Sequence, residues 1–237
     1  MPGTSANSAV TRSTLSRQIA DALRDEVLAG RLQPGREFTV KQIAEQYGVS
    51  ATPVREALVE LCAQGLLDSD QHRGFRVHRF SVADYREMVE ARMLVVDGIF
   101  RLHAPGTRAA LPEPDPGIGV VLVSIRRRGE AAVRAARAGD LDVLIGYDLR
   151  YWHELGRLVA RNGHIADFLH RLRVQAWVFS VPYLRAEREL HGWLWSGHVE
   201  LIDAVTRGDA EAALDVVRAY NAHSLEWADR LEARPTR

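Results

Sequence analysis

The sequence predicts a mainly α-helical chain in two parts: an N-terminal helix-turn-helix followed by a small β-hairpin, then an all-α helical bundle. Three observations carry this. Apolar residues recur at helical spacing through most of the 237 residues. Residues 39–66 hold two short helical patterns around Gly48, and two short strand patterns follow them. A Pro- and Gly-dense stretch at 103–119 then separates these from helical segments that show no strand pattern.

Composition is that of an ordinary folded domain pair, with 46% hydrophobic and 26% charged residues and a formal net charge of zero. No apolar run approaches the roughly 18 residues needed to span a bilayer, so no membrane association is expected. The first residues, MPGTSANSAVTRS, lack an apolar core and read as a frayed tail rather than a secretory signal. The cytoplasm is the expected compartment. The single cysteine, Cys62, excludes a disulfide framework or a cysteine zinc site within one chain and is expected to be a buried thiol. Of 31 basic residues only Lys41 is lysine; arginine suits bidentate contacts to guanine and phosphate.

Taken in order, residues 1–11 are expected to be a disordered tail, 12–79 the first domain and 80–237 the second. Leu15, Ile19, Ala22, Leu23, Val27 and Leu28 mark an amphipathic helix over 14–29, closed by Gly30 and the Pro34-Gly35 turn. Thr39 is the expected N-cap of a second helix with Ile43, Ala44 and Tyr47 inward. Gly48 supplies the turn. Ser50 caps the third helix, and Pro53 sits in its first turn, where a missing N–H costs nothing. Val54, Ala57, Leu58, Leu61 and Cys62 form its buried stripe. Ser50, Ala51, Thr52 and Arg55 are left exposed to meet phosphates or base edges. Gly65 ends it. Residues 66–69 and 74–78 read as paired strands whose link places His72 and Arg73 at a tip suited to a minor groove.

The phrases PG at 34–35, GVSATPVREAL at 48–58, GLL at 65–67 and HRGFRV at 72–77 together resemble the winged helix-turn-helix of GntR-type transcription regulators. The resemblance implies a double-stranded DNA operator as partner. It implies Lys41, Thr52, Arg55 and Gly74 as DNA-contacting positions, Ser50 as a phosphate contact and Arg73 on the wing. The chain departs from the family at Ala51, where members commonly carry a base-reading arginine. For Arg55, the plainer role is a salt bridge, to Glu56 or Glu60 for instance.

In the second part, Ser81 caps a helix with Tyr85, Met88, Val89, Met93, Leu94, Val96 and Ile99 as apolar positions. Residues 103–119 are expected to be a loop. Helices are expected over 120–138, 141–161, 165–181 (ending at Pro182), 185–206 and from Asp209 to about 234, about six in all. YWHELGRLVARNG at 151–163 and SGHVELIDAVTRGDAEAA at 196–213 resemble the FCD ligand-sensing bundle of the FadR subgroup. That resemblance implies a homodimer and a small-molecule effector. In many such domains it also implies a divalent metal (zinc, nickel or manganese) held by an Asp, a His four residues on and two later histidines.

His153 and His198 match two of the metal positions. Asp148 lies five residues before His153 rather than four, and the last position falls on Tyr220, with His223 beyond it. Three readings stand open: a metal on Asp148, His153, His198 and His223 after a local helix distortion; an organic effector held directly by His153, His198 and Tyr220; or ordinary core or surface histidines. Arg92 matches a pocket-facing arginine and suits an effector carboxylate, though a salt bridge to Glu90 or Asp97 would also occupy it. Trp152, Trp177, Trp193 and Trp195 are expected to pack. No enzyme is expected: helix neighbours such as His153 and Glu154 point apart, and no nucleophile accompanies them. The expected function is an effector-responsive repressor on a near-palindromic operator. The alternatives are a small-molecule or metal-binding helical protein whose winged helix serves protein contacts, and a bundle hydrolase using His153 and His198.

Overall fold

The computed structural model describes residues 5–70, 73–102, 116–190 and 192–233. The chain divides into two compact units. One comprises Met1–Phe80 with Val178–Tyr183; the other comprises Ser81–Trp177 with Leu184–Arg237. The first unit thus takes in a piece of a late helix that a division in chain order misses.

In the first unit α1 (Ser5–Leu28), α2 (Val40–Tyr47) and α3 (Ala51–Ala63) surround a core of Ile19, Leu23, Ile43, Val54, Leu58 and Leu61. α1 begins within the stretch expected as a tail. Burying such side chains contributes about 1.5–3 kcal/mol each before chain entropy is set against it. Local sequence starts α2: Thr39 accepts from Gln42 N, and Gln42 Oε1 accepts from Thr39 N at 2.8 Å, a reciprocal capping box. Gly48, at φ 65°, closes it in the left-handed conformation. Ser50 stands at the N-cap of α3 as expected, but its side chain makes no capping hydrogen bond. Cys62, expected to be buried, is half-buried, because its place on α3 falls at the edge of the apolar stripe; burial still pushes its thiol pKa up.

The hairpin pairs β2 (Leu67–Asp70) with β3 (Gly74–Val77) in antiparallel register, Leu67 opposite Val77 and Asp70 opposite Gly74. A third strand, β1 (Glu37–Phe38), pairs with the other edge of β3 to give the order β1-β3-β2. The Pro34-Gly35 turn delivers it: Gly35 N donates to Val77 O at 2.8 Å, and Val77 N to Arg36 O at 3.0 Å. His72 lies outside the described residues.

The second unit contains α4 (Val82–Leu102), α5 (Pro116–Ala138), α6 (Leu141–Ala160), most of α7 (Gly163–Ala186), α8 (His198–Thr206) and α9 (Ala210–Glu232). α5 packs on α6 and α8, and α9 on α4 and α8. Ser81 Oγ accepts from Asp84 N at 3.1 Å, and Asp84 accepts from Ser81 N, fixing the start of α4.

Four expectations change. α5 starts at Pro116, so residues 116–119 are helical; the rest of the expected loop, 103–115, lies outside the described residues. α7 runs through Pro182 rather than ending there, because burial of Val178, Phe179, Val181 and Leu184 outweighs one lost helix hydrogen bond. The helix expected over 185–206 begins only at His198: Glu187 is extended, and Gly192 takes φ 85°. Leu94, expected inward, is 77% exposed, and Arg92 occupies the buried face of α4 instead.

Candidate functional site

The end of α3 that follows the turn is open. Ser50, Ala51, Thr52 and Arg55 are all exposed, as expected. Lys41, Glu45, Gly48, Ala51 and Arg55 line a shallow groove between α2 and α3. Lys41 stands 3.9 Å from Glu45 in an exposed i, i+4 pair, which holds the amine only weakly. Arg55 makes no ion pair among the described residues, so the salt bridge weighed for it is not formed. Because Ser50 leaves the first N–H groups of α3 uncapped, a phosphate oxygen can take its place there.

On the hairpin, the exposed Arg73 lies 4.0 Å from Glu37, and its backbone N–H donates to Asp70 Oδ1 at 3.1 Å. Gly74 has a structural reason of its own. Its φ is 95°, and a Cβ there would stand 2.7 Å from Phe38 O, inside the three-strand sheet. Gly74→Ala is expected to cost about 1–3 kcal/mol through this strain and clash. Thermal melting checks this, and an unchanged melting temperature would remove the packing role and leave Gly74 as a DNA contact only.

The second constellation lies inside the helical unit. Asp148 of α6 is 2% exposed and central. Its Oδ1 accepts from Trp152 Nε1 at 3.0 Å and from His198 Nε2 at 2.9 Å; its Oδ2 accepts from Trp177 Nε1 at 2.7 Å. Arg173 Nη1 is 3.7 Å from the same Oδ2. Burial alone would raise the Asp148 pKa, but Arg173, then His198 and Trp177, outweigh it and hold the carboxyl below its usual range. His198 is fully buried; since a carboxylate only accepts, its Nε2 carries the proton. Tyr151 donates to His198 O at 2.6 Å, and burial holds this phenol well above its usual pKa.

Arg92 of α4 is 6% exposed and bonded to neutral acceptors: Nε to Asn221 Oδ1 at 2.7 Å, Nη1 to Tyr220 OH at 3.2 Å and Nη2 to Ser224 Oγ at 3.2 Å. Neither Glu90 nor Asp97 takes it; Asp97 faces Arg218 at 3.7 Å. Burial lowers the pKa of Arg92, and the nearby Arg173 adds to the shift. Arg173 Nη1 also donates to Tyr220 OH. Both guanidinium groups sit over the Tyr220 ring, at 4.4 and 4.6 Å, and Arg173 also lies 4.2 Å from the Trp152 ring centre.

Of the residues proposed for a metal, the fold brings together Asp148 and His198 only. α6 is a regular helix, on which positions five apart turn about 140° from each other, so His153 leaves the cluster. Its ring meets His170 at 4.6 Å, and its Nδ1 is buried without a hydrogen bond. His223 is directed at Trp193 O, 3.0 Å away. Among the described residues no three His, Cys, Asp or Glu side chains gather as metal ligands. The donor set does not fit a divalent cation. Asp148 already accepts three hydrogen bonds, His198 uses its proton-bearing Nε2 on that carboxylate, and the cation facing them is a guanidinium.

For the direct effector site expected on His153, His198 and Tyr220, the fold keeps Tyr220 with Arg92 and sets His198 behind it on Asp148. His153 stands apart. Trp152 and Trp177, expected only to pack, are donors to Asp148. Sequence reasoning missed Arg173, Asn221 and Ser224. Arg173 left a signal: it falls four residues after Leu169 and four before Trp177, a charge on the apolar face of α7.

A helix presented after a tight turn, a hairpin beside it, and an all-helical unit with a charged interior define a winged-helix DNA-binding protein with a helical second domain. Known families agree. Residues 15–77 match the model "Bacterial regulatory proteins, gntR family", and residues 120–223 match the FCD domain. An HTH-type transcriptional regulator in an unstable DNA locus of Streptomyces ambofaciens is 30% identical over 228 residues, covering 90% of this chain and 89% of that protein. A probable D-xylose utilization operon transcriptional repressor of Paenarthrobacter nicotinovorans is 29% identical over 204 residues, 86% of this chain and 84% of that one. The solved structure of Escherichia coli McbR/YncC shares the fold, with TM-score 0.69 at 20% identity over 92% of this chain and 98% of that one. The chain belongs to the GntR family of bacterial regulatory proteins and is a DNA-binding transcription regulator with an FCD domain. Its domains are those of transcription regulators rather than enzymes. Among the described residues no helix is long and apolar enough to cross a membrane.

Proposed function

We propose that this regulator is a homodimeric repressor in the cytoplasm whose hold on a near-palindromic operator falls when a small carboxylate enters its helical unit. The observation that carries this reading is a cavity of ≈ 60 Å³ in that unit, apolar except for Arg92, Arg173, His170 and the Trp152 ring. A pocket of apolar walls with a few convergent polar groups is the usual form of a small-molecule site. The cations favour a carboxylate. Each α3 reads one half-site in the major groove, and a two-fold dimer matches the operator's symmetry. Effector binding shifts the population between DNA-competent and DNA-incompetent arrangements. Repression, stated for the Paenarthrobacter relative by its name, supports the same sign here. Because the donors around Asp148 do not fit a divalent metal, the effector is held without one.

The test is a footprint and titration on the DNA upstream of the protein's own gene, with the oligomer weighed by sedimentation. Two chains per protected site are expected, with affinity falling steeply with salt as phosphate contacts release counterions. A single chain per site, or binding indifferent to salt, would refute this reading.

A further inference from the structure

Among the described residues the buried charged side chains are Arg92, Asp148 and Arg173, with His198 bonded to the carboxylate. Two guanidinium groups against one carboxylate leave the interior of the helical unit with a guanidinium that no buried carboxylate among the described residues offsets. An uncompensated charge in such a place is strongly unfavourable, and arginine does not shed its proton to escape it. Arg92 is surrounded by neutral acceptors. Arg173 uses Nη1 on Tyr220 and Asp148, while its Nη2 is buried without any hydrogen bond among the described residues. Arg173 is only 4% exposed, and both arginines line the cavity, whose other walls include Val96, Leu155, Val159 and Leu201.

We infer that Arg173 anchors the effector's anionic head through its free Nη2, taking the part a metal would play, and that the effector is a small monoanion with an apolar body. The inference rests on the reading of the helical unit as an effector site, and it adds which residue recognises the ligand and what charge the ligand bears. One negative charge offsets the guanidinium that Asp148 leaves unmatched. The apolar walls then take the rest of the molecule. Asp148 and His198 act through Arg173: they hold its guanidinium over the Trp152 and Tyr220 rings with one edge left for the ligand. Tyr220 accepts from both arginines and so ties the two guanidinium groups together beside the cavity they line.

The experiment adds millimolar hexanoate, its isosteres hexanol and hexylamine, or zinc chloride alone to the full-length protein, and reads melting temperature and calorimetric binding. Hexanoate is expected to raise the melting temperature, while hexanol, hexylamine and zinc leave it unchanged. Arg173→Gln is expected to weaken hexanoate binding about tenfold or more, the loss that follows removal of a charge-assisted donor. Arg173→Lys keeps the charge but loses the fork, and is expected to fall between the two. Circular dichroism establishes that each variant is folded; if Arg173→Gln does not fold, Arg173→Lys and the isostere comparison decide. Stabilisation by hexanol equal to that by hexanoate, no stabilisation by hexanoate, stabilisation by zinc alone, or unchanged hexanoate affinity in a folded Arg173 variant would each overturn the inference. Hexanoate that binds through Arg173 yet leaves operator affinity unaltered would instead count against the regulatory reading of the site and leave the anchor standing.

Discussion

Asp148→Ala is expected to lower the unfolding free energy by about 3–5 kcal/mol, the range for removing one partner of a buried ion pair. The carboxylate is the sole buried anion among the described residues, and it faces Arg173, His198, Trp152 and Trp177 together. Its loss leaves three donors unsatisfied and two buried guanidinium groups with no opposing charge. Asp148→Asn keeps an acceptor oxygen but no charge, and should fall between alanine and the native residue. Urea denaturation followed by tryptophan fluorescence reads both variants, since Trp152 and Trp177 report on the site directly. A loss below about 1 kcal/mol for the alanine variant would mean that Arg173 finds another counter-charge, and the electrostatic picture of the site would fail.

Arg55→Ala is expected to weaken operator binding by roughly ten- to a hundredfold while leaving stability within about 0.5 kcal/mol of native. The two halves of this prediction have separate causes. Arg55 is exposed on α3 and makes no ion pair among the described residues, so its removal breaks nothing in the fold. It shares an open groove with Lys41 at the end of α3 that faces outward after the turn, so its removal strips a cation from the reading surface. Titration at several salt concentrations distinguishes its target. A phosphate contact lowers the salt slope by about one, whereas a base contact relaxes discrimination at one position. Operator affinity unchanged by the substitution would overturn the docking of α3 in the groove. The neighbouring Ala51, also exposed there, adds no cation of its own to this surface.

The winged helix was legible because its signals are local. Thr39 and Gln42 form a capping box three residues apart, Gly48 takes the left-handed turn, and Val54, Leu58 and Leu61 recur at helical spacing. Such features are decided within one or two turns of chain, where the spacing of residue types states the geometry outright. β1 was not legible: two residues form a strand only because the turn at Pro34-Gly35 brings them to the free edge of β3, nearly forty positions on. Pro182 failed as a stop for a related reason. A helix end is a local rule, and the buried side chains on either side of it overrode that rule.

The charged interior shows the division most clearly. Periodicity placed Asp148, His153 and Tyr220 on helices, and the five-residue offset already set Asp148 and His153 at odds as joint ligands. What faces Asp148 depends on how α6, α7 and α8 pack, and the answer is Arg173, His198 and Trp177, between 25 and 50 positions away in sequence. The sequence by itself determined the family and most of the helical segments of both parts, since each rests on contacts between near neighbours. Tertiary structure alone decided that a guanidinium, that of Arg173, faces Asp148, because that follows from which side chains meet across the packed helices.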